Sequence, residues 1–172
     1  MFENVEIPLD ELPRVAELEW QPLDPAYRSR LIVERLITIG FLLTGAIVVS
    51  LVKQVAAGLT ATLLAGVAIA TVSLLVWPII ALPRMGYVIR DKDIVFRKGI
   101  FWRSVTAIPF NRVQHVETSS TPLDRRFNLA SLKVFTAGGS SGDLKIDGLG
   151  ADRAEQLRAL VLEKAGASIE SD

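Results

Sequence analysis

Side-chain catalysis needs a nucleophile, an acid–base pair or a metal cluster, and this 172-residue chain offers little of any. A single histidine, His115, and the absence of cysteine exclude thiolate chemistry, disulfides and Cys- or His-rich metal sites. His115 lies between Gln114 and Val116 in a strand-like run, where a structural or surface role explains it better than general-base work. Asp91 and Asp93 flank Lys92 in a turn, and bonding to nearby backbone accounts for aspartates there. Gly148-Leu-Gly150 stands between a strand and a helix, the context of a phosphate-binding fingerprint. The third glycine position is Arg153, however, and no βαβ unit follows. Gly138–Gly142 lacks the Lys-Ser/Thr of a P-loop, and the serines are scattered without a base partner. The expectation is a chain that is not an enzyme, with no catalytic residues, no cofactor, no metal, no small-molecule substrate and no nucleic acid partner.

Binding chemistry is better represented. The 19 bases and 19 acids cancel overall, but not locally. Residues 1–26 hold seven acids against Arg14, whereas residues 84–126 hold nine bases against four acids. Arg84, Arg90, Lys92, Arg97, Lys98 and Arg103 follow a long apolar run. Anionic headgroups attract such groups by about 1 kcal/mol each near a membrane surface. Arg125 and Arg126, in Pro122-Leu-Asp-Arg-Arg-Phe-Asn, are further candidates for a phosphate or an acidic partner. The plainer reading is that these bases enforce topology, solubilise the domain or pair with Asp124. In the acidic arm, Trp20 and Leu23 are candidate docking residues, in cis or in trans. Four of the eight prolines lie in this arm and forbid a long helix, but an extended segment can add to a sheet edge.

The elements that must position these residues begin with two charge-free runs. Leu36–Val52 is bounded by Arg35 and Lys53, and Leu59–Leu82 ends at Pro83-Arg84. The second run is 24 residues, about 36 Å as a helix and enough to cross a core of about 30 Å. The first is short and borrows a turn from Ile32–Arg35. Backbone in lipid must satisfy its own hydrogen bonds, so the runs are read as a transmembrane hairpin with helices at about 32–53 and 58–82. The acidic N-terminus and the late first run argue against a cleaved signal peptide. Arg28, Arg30 and Arg35 before the hairpin and the bases after it outnumber Lys53 in the turn, which predicts cytoplasmic N- and C-termini. Gly58, Thr62, Gly66 and Ala70 recur every four residues and form a helix-packing groove. Its simplest partner is the first helix near Gly40–Thr44–Gly45; a second protomer or a foreign membrane protein is the functional alternative.

From residue 85 the pattern changes to short β-rich runs separated by turn residues. Strands are expected at Gly86–Arg90, Ile94–Lys98, Phe101–Pro109, Arg112–Thr118, Ser131–Ala137 and Asp143–Asp147. Gly99 supplies a positive φ, Gly138–Gly142 a hairpin tip and Pro122–Asn128 a short helical turn. A closing helix is expected from an Asp152 N-cap and Glu155 capping box, with Ala154, Leu157, Leu160 and Val161 on its buried face and a tail from Gly166. The division is an arm at 1–26, a hairpin at 27–84, a β domain at 85–165 and a tail at 166–172.

The segments Ala107-Ile-Pro-Phe-Asn-Arg-Val-Gln-His-Val-Glu and Pro122-Leu-Asp-Arg-Arg-Phe-Asn-Leu-Ala-Ser-Leu-Lys-Val-Phe-Thr-Ala-Gly-Gly, with Tyr87-Val-Ile-Arg and Arg97-Lys-Gly-Ile-Phe, carry a family likeness. In order and spacing they resemble the bacterial pleckstrin-homology-like membrane family over about Tyr27–Ala165, hairpin included. The resemblance implies a membrane α-helical hairpin plus a mainly-β PH-like barrel capped by a C-terminal α-helix. It also implies a non-enzymatic protein of the bacterial inner (plasma) membrane, in some members tied to envelope stress or antimicrobial-peptide defence, and it supplies no ligand residues. The function expected is a membrane-anchored scaffold or accessory subunit, as a homo-oligomer or in a complex with another membrane protein. The alternative is a module that senses anionic membrane lipids through the juxtamembrane basic face.

Overall fold

A computed structural model describes residues 18–52, 57–137 and 144–169. Two long helices, α1 (Pro25–Val52) and α2 (Ala57–Ala81), pack side by side. Each is long and apolar enough to cross a membrane. Phe41, Leu51 and Ile69 are at least 70% exposed, as suits helices whose solvent is lipid rather than a protein core. The hydroxyls of Thr38, Thr44, Thr62, Thr71 and Ser73 donate to carbonyls one turn back, so none is left bare among the apolar side chains.

Helix α1 begins seven residues before the expected Ile32, because its first turns are held by the soluble domain. Asp24 accepts from the Ala26 N–H at 2.8 Å and Pro25 takes the first helical position, a favourable start. Arg28, Arg30, Glu34 and Arg35 therefore ride on the helix itself.

After a 3₁₀ turn at Leu82–Arg84, six strands form two antiparallel three-stranded sheets. The first contains β1 (Gly86–Ile89), β2 (Asp93–Lys98) and β3 (Ser104–Pro109); the second contains β4 (Val113–Ser119), β5 (Leu129–Thr136) and β6 (Leu144–Gly150). Ile94 and Phe96 of β2 join Leu132, Val134 and Ile146 of the second sheet in one apolar core. Two boundaries differ clearly from expectation. β3 starts at Ser104 because Phe101–Arg103 turn the chain, with Gly99 at φ 104° as expected. β6 runs on to Gly150, so Gly148-Leu-Gly150 is strand rather than a loop before the helix. Gly138–Gly142 and Asp143 lie outside the described residues.

A short helix, α3 (Pro122–Arg126), links the second sheet's first two strands, and α4 (Ala151–Ile169) closes the domain. Ala154, Leu157 and Val161 are buried against the core, with Leu160 half-buried beside them. Asp152 lies inside the first turn of α4 rather than at its N-cap, because the Ala151 N–H already donates to the Asn128 carbonyl. Glu155 instead pairs with Arg158. A capping box does occur, but in α3, between Thr121 and Asp124. Helix α4 continues through Gly166, where a tail was expected.

Candidate functional site

The soluble domain meets the membrane hairpin at two places, one beneath α1 and one beneath α2. Beneath α1, Asp124 is 7% exposed, and its carboxylate accepts three hydrogen bonds from two neighbours. Arg30 Nε donates to its Oδ1 at 2.8 Å, the Thr121 N–H and hydroxyl donate to Oδ2 at 2.9 and 2.6 Å, and the Asp124 N–H donates back to Thr121 Oγ1 at 3.1 Å. Burial pushes the carboxyl's pKa up, but the bonds from Thr121 and from Arg30 outweigh it and hold the group below its ordinary range. Arg125 and Arg126, the expected partners of Asp124, are exposed on α3 while Arg30 takes the carboxylate. The second fastening is at Gly148, whose φ is +74°. The Asp24 N–H donates to its carbonyl at 2.9 Å, and a Cβ on Gly148 would stand 2.3 Å from the Tyr27 ring.

Trp20 and Leu23 dock in cis. Leu23 is buried in the barrel core. Gln21 adds to the outer edge of β1 through both backbone bonds to Tyr87, 2.9 and 3.1 Å. Trp20 lies against Gly86, where a Cβ would meet its own Cβ at 3.4 Å, and Arg97, paired across the sheet with Gly86, stacks over the indole at 4.3 Å. Residues 1–17 of the arm lie outside the described residues.

Topology divides the basic residues. β1 leads away from α2, β2 returns and β3 leaves again. Arg90 and Lys92 are therefore at the far turn, where Arg90 bonds Asp93 through two nitrogens. Arg97, Lys98 and Arg103 return to the hairpin. Strand alternation sends Lys98 to the opposite face from Arg97. Arg84, Arg97 and Arg103 converge on a cleft of about 270 Å³ completed by Pro83 and Gly99. Arg84 Nη1 also donates to the Ile80 carbonyl at the end of α2. The Arg97 Nε is buried and has no hydrogen-bond partner among the described residues.

A larger cleft, about 500 Å³, lies beside Tyr27, Arg30, Ser131, Lys133, Lys145 and Asp147. Its charges are matched internally: Arg30 with Glu34 and Asp124, Lys145 with Asp147 at 2.8 Å, Lys133 with Glu117 at 3.8 Å. Among the described residues the charged side chains lining the smaller cleft are all cations, so it is the better anion site.

Two residues without a motif stand at this cleft. Phe101 and Trp102, at the tip of the β2–β3 hairpin, are 77% and 90% exposed. The Phe101 ring lies 6.2 Å from Trp77, one turn before the end of α2, so the tip sits level with the last turn of a membrane helix. An adjacent aromatic pair in a turn between strands is the signal that sequence reading passed over. Pro83 also lines an apolar recess with Leu23, Pro78, Ile79 and Leu82, about 350 Å³ in volume.

The small-residue groove stays open. Gly58, Thr62 and Gly66 are exposed, Ala70 is half-buried, and a Cβ built on Gly58, Gly66, Gly40 or Gly45 would meet nothing within 4 Å among the described residues. The expected pairing of this groove with the Gly40–Thr44–Gly45 region of α1 is therefore not what joins the two helices. His115 is exposed, with its ring 5.6 Å from Phe135 on the neighbouring strand.

Comparison with known proteins agrees with this architecture. Over 51 residues the chain is 41% identical to the UPF0699 transmembrane protein YdbS of Bacillus subtilis (strain 168), a stretch of 30% of this chain and 32% of that protein. The aligned stretch thus spans about a third of the relative's length. No solved structure matches the chain. The family model described as Bacterial PH domain matches residues 36–165, more than half the chain and taking in α1 from Leu36 onward, α2 and the sheets. The chain is a membrane protein of the bacterial PH domain family.

Proposed function

We propose that this protein is a non-catalytic scaffold or accessory subunit of a bacterial inner membrane, with both termini cytoplasmic, that holds its PH domain at a fixed attitude to the bilayer for assembly with other membrane proteins. The observation that carries this reading is the joint beneath α1. One unbroken helix runs from the apolar span into contacts with α3 and β6, fastened by Arg30–Asp124 and by Asp24 and Tyr27 on Gly148. A domain that merely needed a tether would be served by a loose linker. Fixed orientation serves a protein whose surfaces must meet partners in register with the membrane plane. The open row at Gly58, Thr62 and Gly66 supports contact within the bilayer, since small residues let a second backbone approach closely.

The test is purification from the native membrane at native abundance in mild detergent, with the mass of the particle measured. A stoichiometric complex, either with further copies or with one other membrane protein, is expected, and Gly66→Leu should reduce its mass toward the monomer. A monodisperse single chain in wild type would end this reading.

A further inference from the structure

We propose that the Arg84–Arg97–Arg103 cleft binds the phosphate of an anionic glycerophospholipid, with Phe101 and Trp102 seated in the interfacial layer beside it. The argument is independent of assembly and begins with charge. Three guanidinium groups bring like charge to one small cleft whose lining, among the described residues, holds no carboxylate. Guanidinium forks suit phosphate oxygens, to which they donate in pairs. Arg97 is the fixed member, because Trp20 lies under its plane at 4.3 Å, and its Nε is buried without a hydrogen-bond partner among the described residues. A buried donor left unmade is costly, and an incoming anion removes that cost.

Depth then selects the source of the phosphate. Large exposed aromatic rings are unfavourable in water but are enriched at membrane–water boundaries, where an amphipathic ring has both its solvents. Phe101 beside Trp77 puts the hairpin tip at that boundary. A free phosphate ion uses the arginines alone and leaves Phe101 and Trp102 unexplained. A phospholipid uses both, and the apolar recess that shares Pro83 with the cleft gives its acyl part a surface next to the headgroup. The cleft also lies at the α2–β2–β3 end of the first sheet, whereas Arg90 and Lys92, at the opposite turn, are outside it.

The experiment uses the full chain in neutral detergent, titrated with short-chain phosphatidylglycerol and read by native mass spectrometry. Saturable binding of one lipid is expected, with much weaker binding of short-chain phosphatidylcholine. Arg84 and Arg103 are exposed, so R84Q/R103Q leaves the fold intact and should weaken binding by roughly 25-fold, about fivefold for each arginine near an anionic lipid. R125Q/R126Q removes the same charge from the exposed face of α3 and should leave binding within twofold. Arg97→Lys, which keeps the charge but loses the fork, should fall between wild type and R84Q/R103Q. Equal losses in R84Q/R103Q and R125Q/R126Q would overturn the proposal in favour of diffuse attraction. Competition by equimolar inorganic phosphate, or unchanged binding in F101S/W102S, would overturn it in favour of a free-anion site.

Discussion

The two contacts between membrane hairpin and soluble domain use similar residues to opposite ends. Beneath α1 an arginine is already answered: Arg30 meets Asp124 and Glu34, and Tyr27 fills the space that Gly148 leaves. Beneath α2 three arginines face a cleft without an acid among the described residues, and two aromatic rings stand exposed beside it. The first place is complete within the chain; the second, among the described residues, brings its cations no carboxylate. Charge count alone does not separate them. What separates them is whether each polar group has found its complement, since a buried charge is stable only when paired.

That contrast can be attacked from the closed side first, where the losses in stability should be greatest. Gly148→Ala places a methyl group against Tyr27 at a positive φ. It should cost about 3 kcal/mol, seen as a large drop in the thermal midpoint of the detergent-solubilised protein. Little or no change would mean that the α1 joint is loose. Next, Asp124→Ala strips Arg30 of one of its two carboxylate partners and α3 of its capping box, for about 2–3 kcal/mol.

The same carboxylate sets a pH dependence. Its folded pKa lies below the unfolded value of about 3.9, so its contribution is present at neutral pH and is lost as pH falls through the folded value. Asp124→Asn should therefore flatten the fall in stability below about pH 4; a curve parallel to wild type would refute the assignment. Trp20→Ala, which removes the stack under Arg97 and one anchor of the arm, should cost about 1 kcal/mol. At the open side the sign of the comparison reverses. F101S/W102S should change stability by less than about 0.5 kcal/mol, because these rings bury little within the chain. A large destabilisation there would show that the tip is structural packing rather than a waiting surface.

The hairpin, the six strands and the closing helix were legible because each carries a periodic signal: charge-free length, alternation, or apolar residues three and four apart. Gly99 was legible because a tight return between strands demands a positive φ. What escaped was set by contacts distant in sequence. Nothing near Asp124 announces Arg30, 94 positions away. The early start of α1 depends on Gly148, which from sequence looked like half of a weak phosphate motif. The grouping of Arg84 with Arg97 and Arg103, and the exclusion of Arg90 and Lys92, follow from strand direction rather than from spacing. The row at Gly58–Ala70 showed that a groove exists, but helical periodicity carries no information on which helix fills it.

Gln21 on the rim of the first sheet has one more consequence. Chains confined to a membrane plane are crowded in two dimensions, and a bare strand there invites its counterpart on a neighbouring molecule to zip against it. Gln21 occupies the outward N–H and C=O of Tyr87, Pro22 follows with no N–H to extend the ladder, and Leu23 turns down into the core. The molecule thereby carries its own stopper against templated aggregation at that position, leaving any meeting between copies to the surfaces described above.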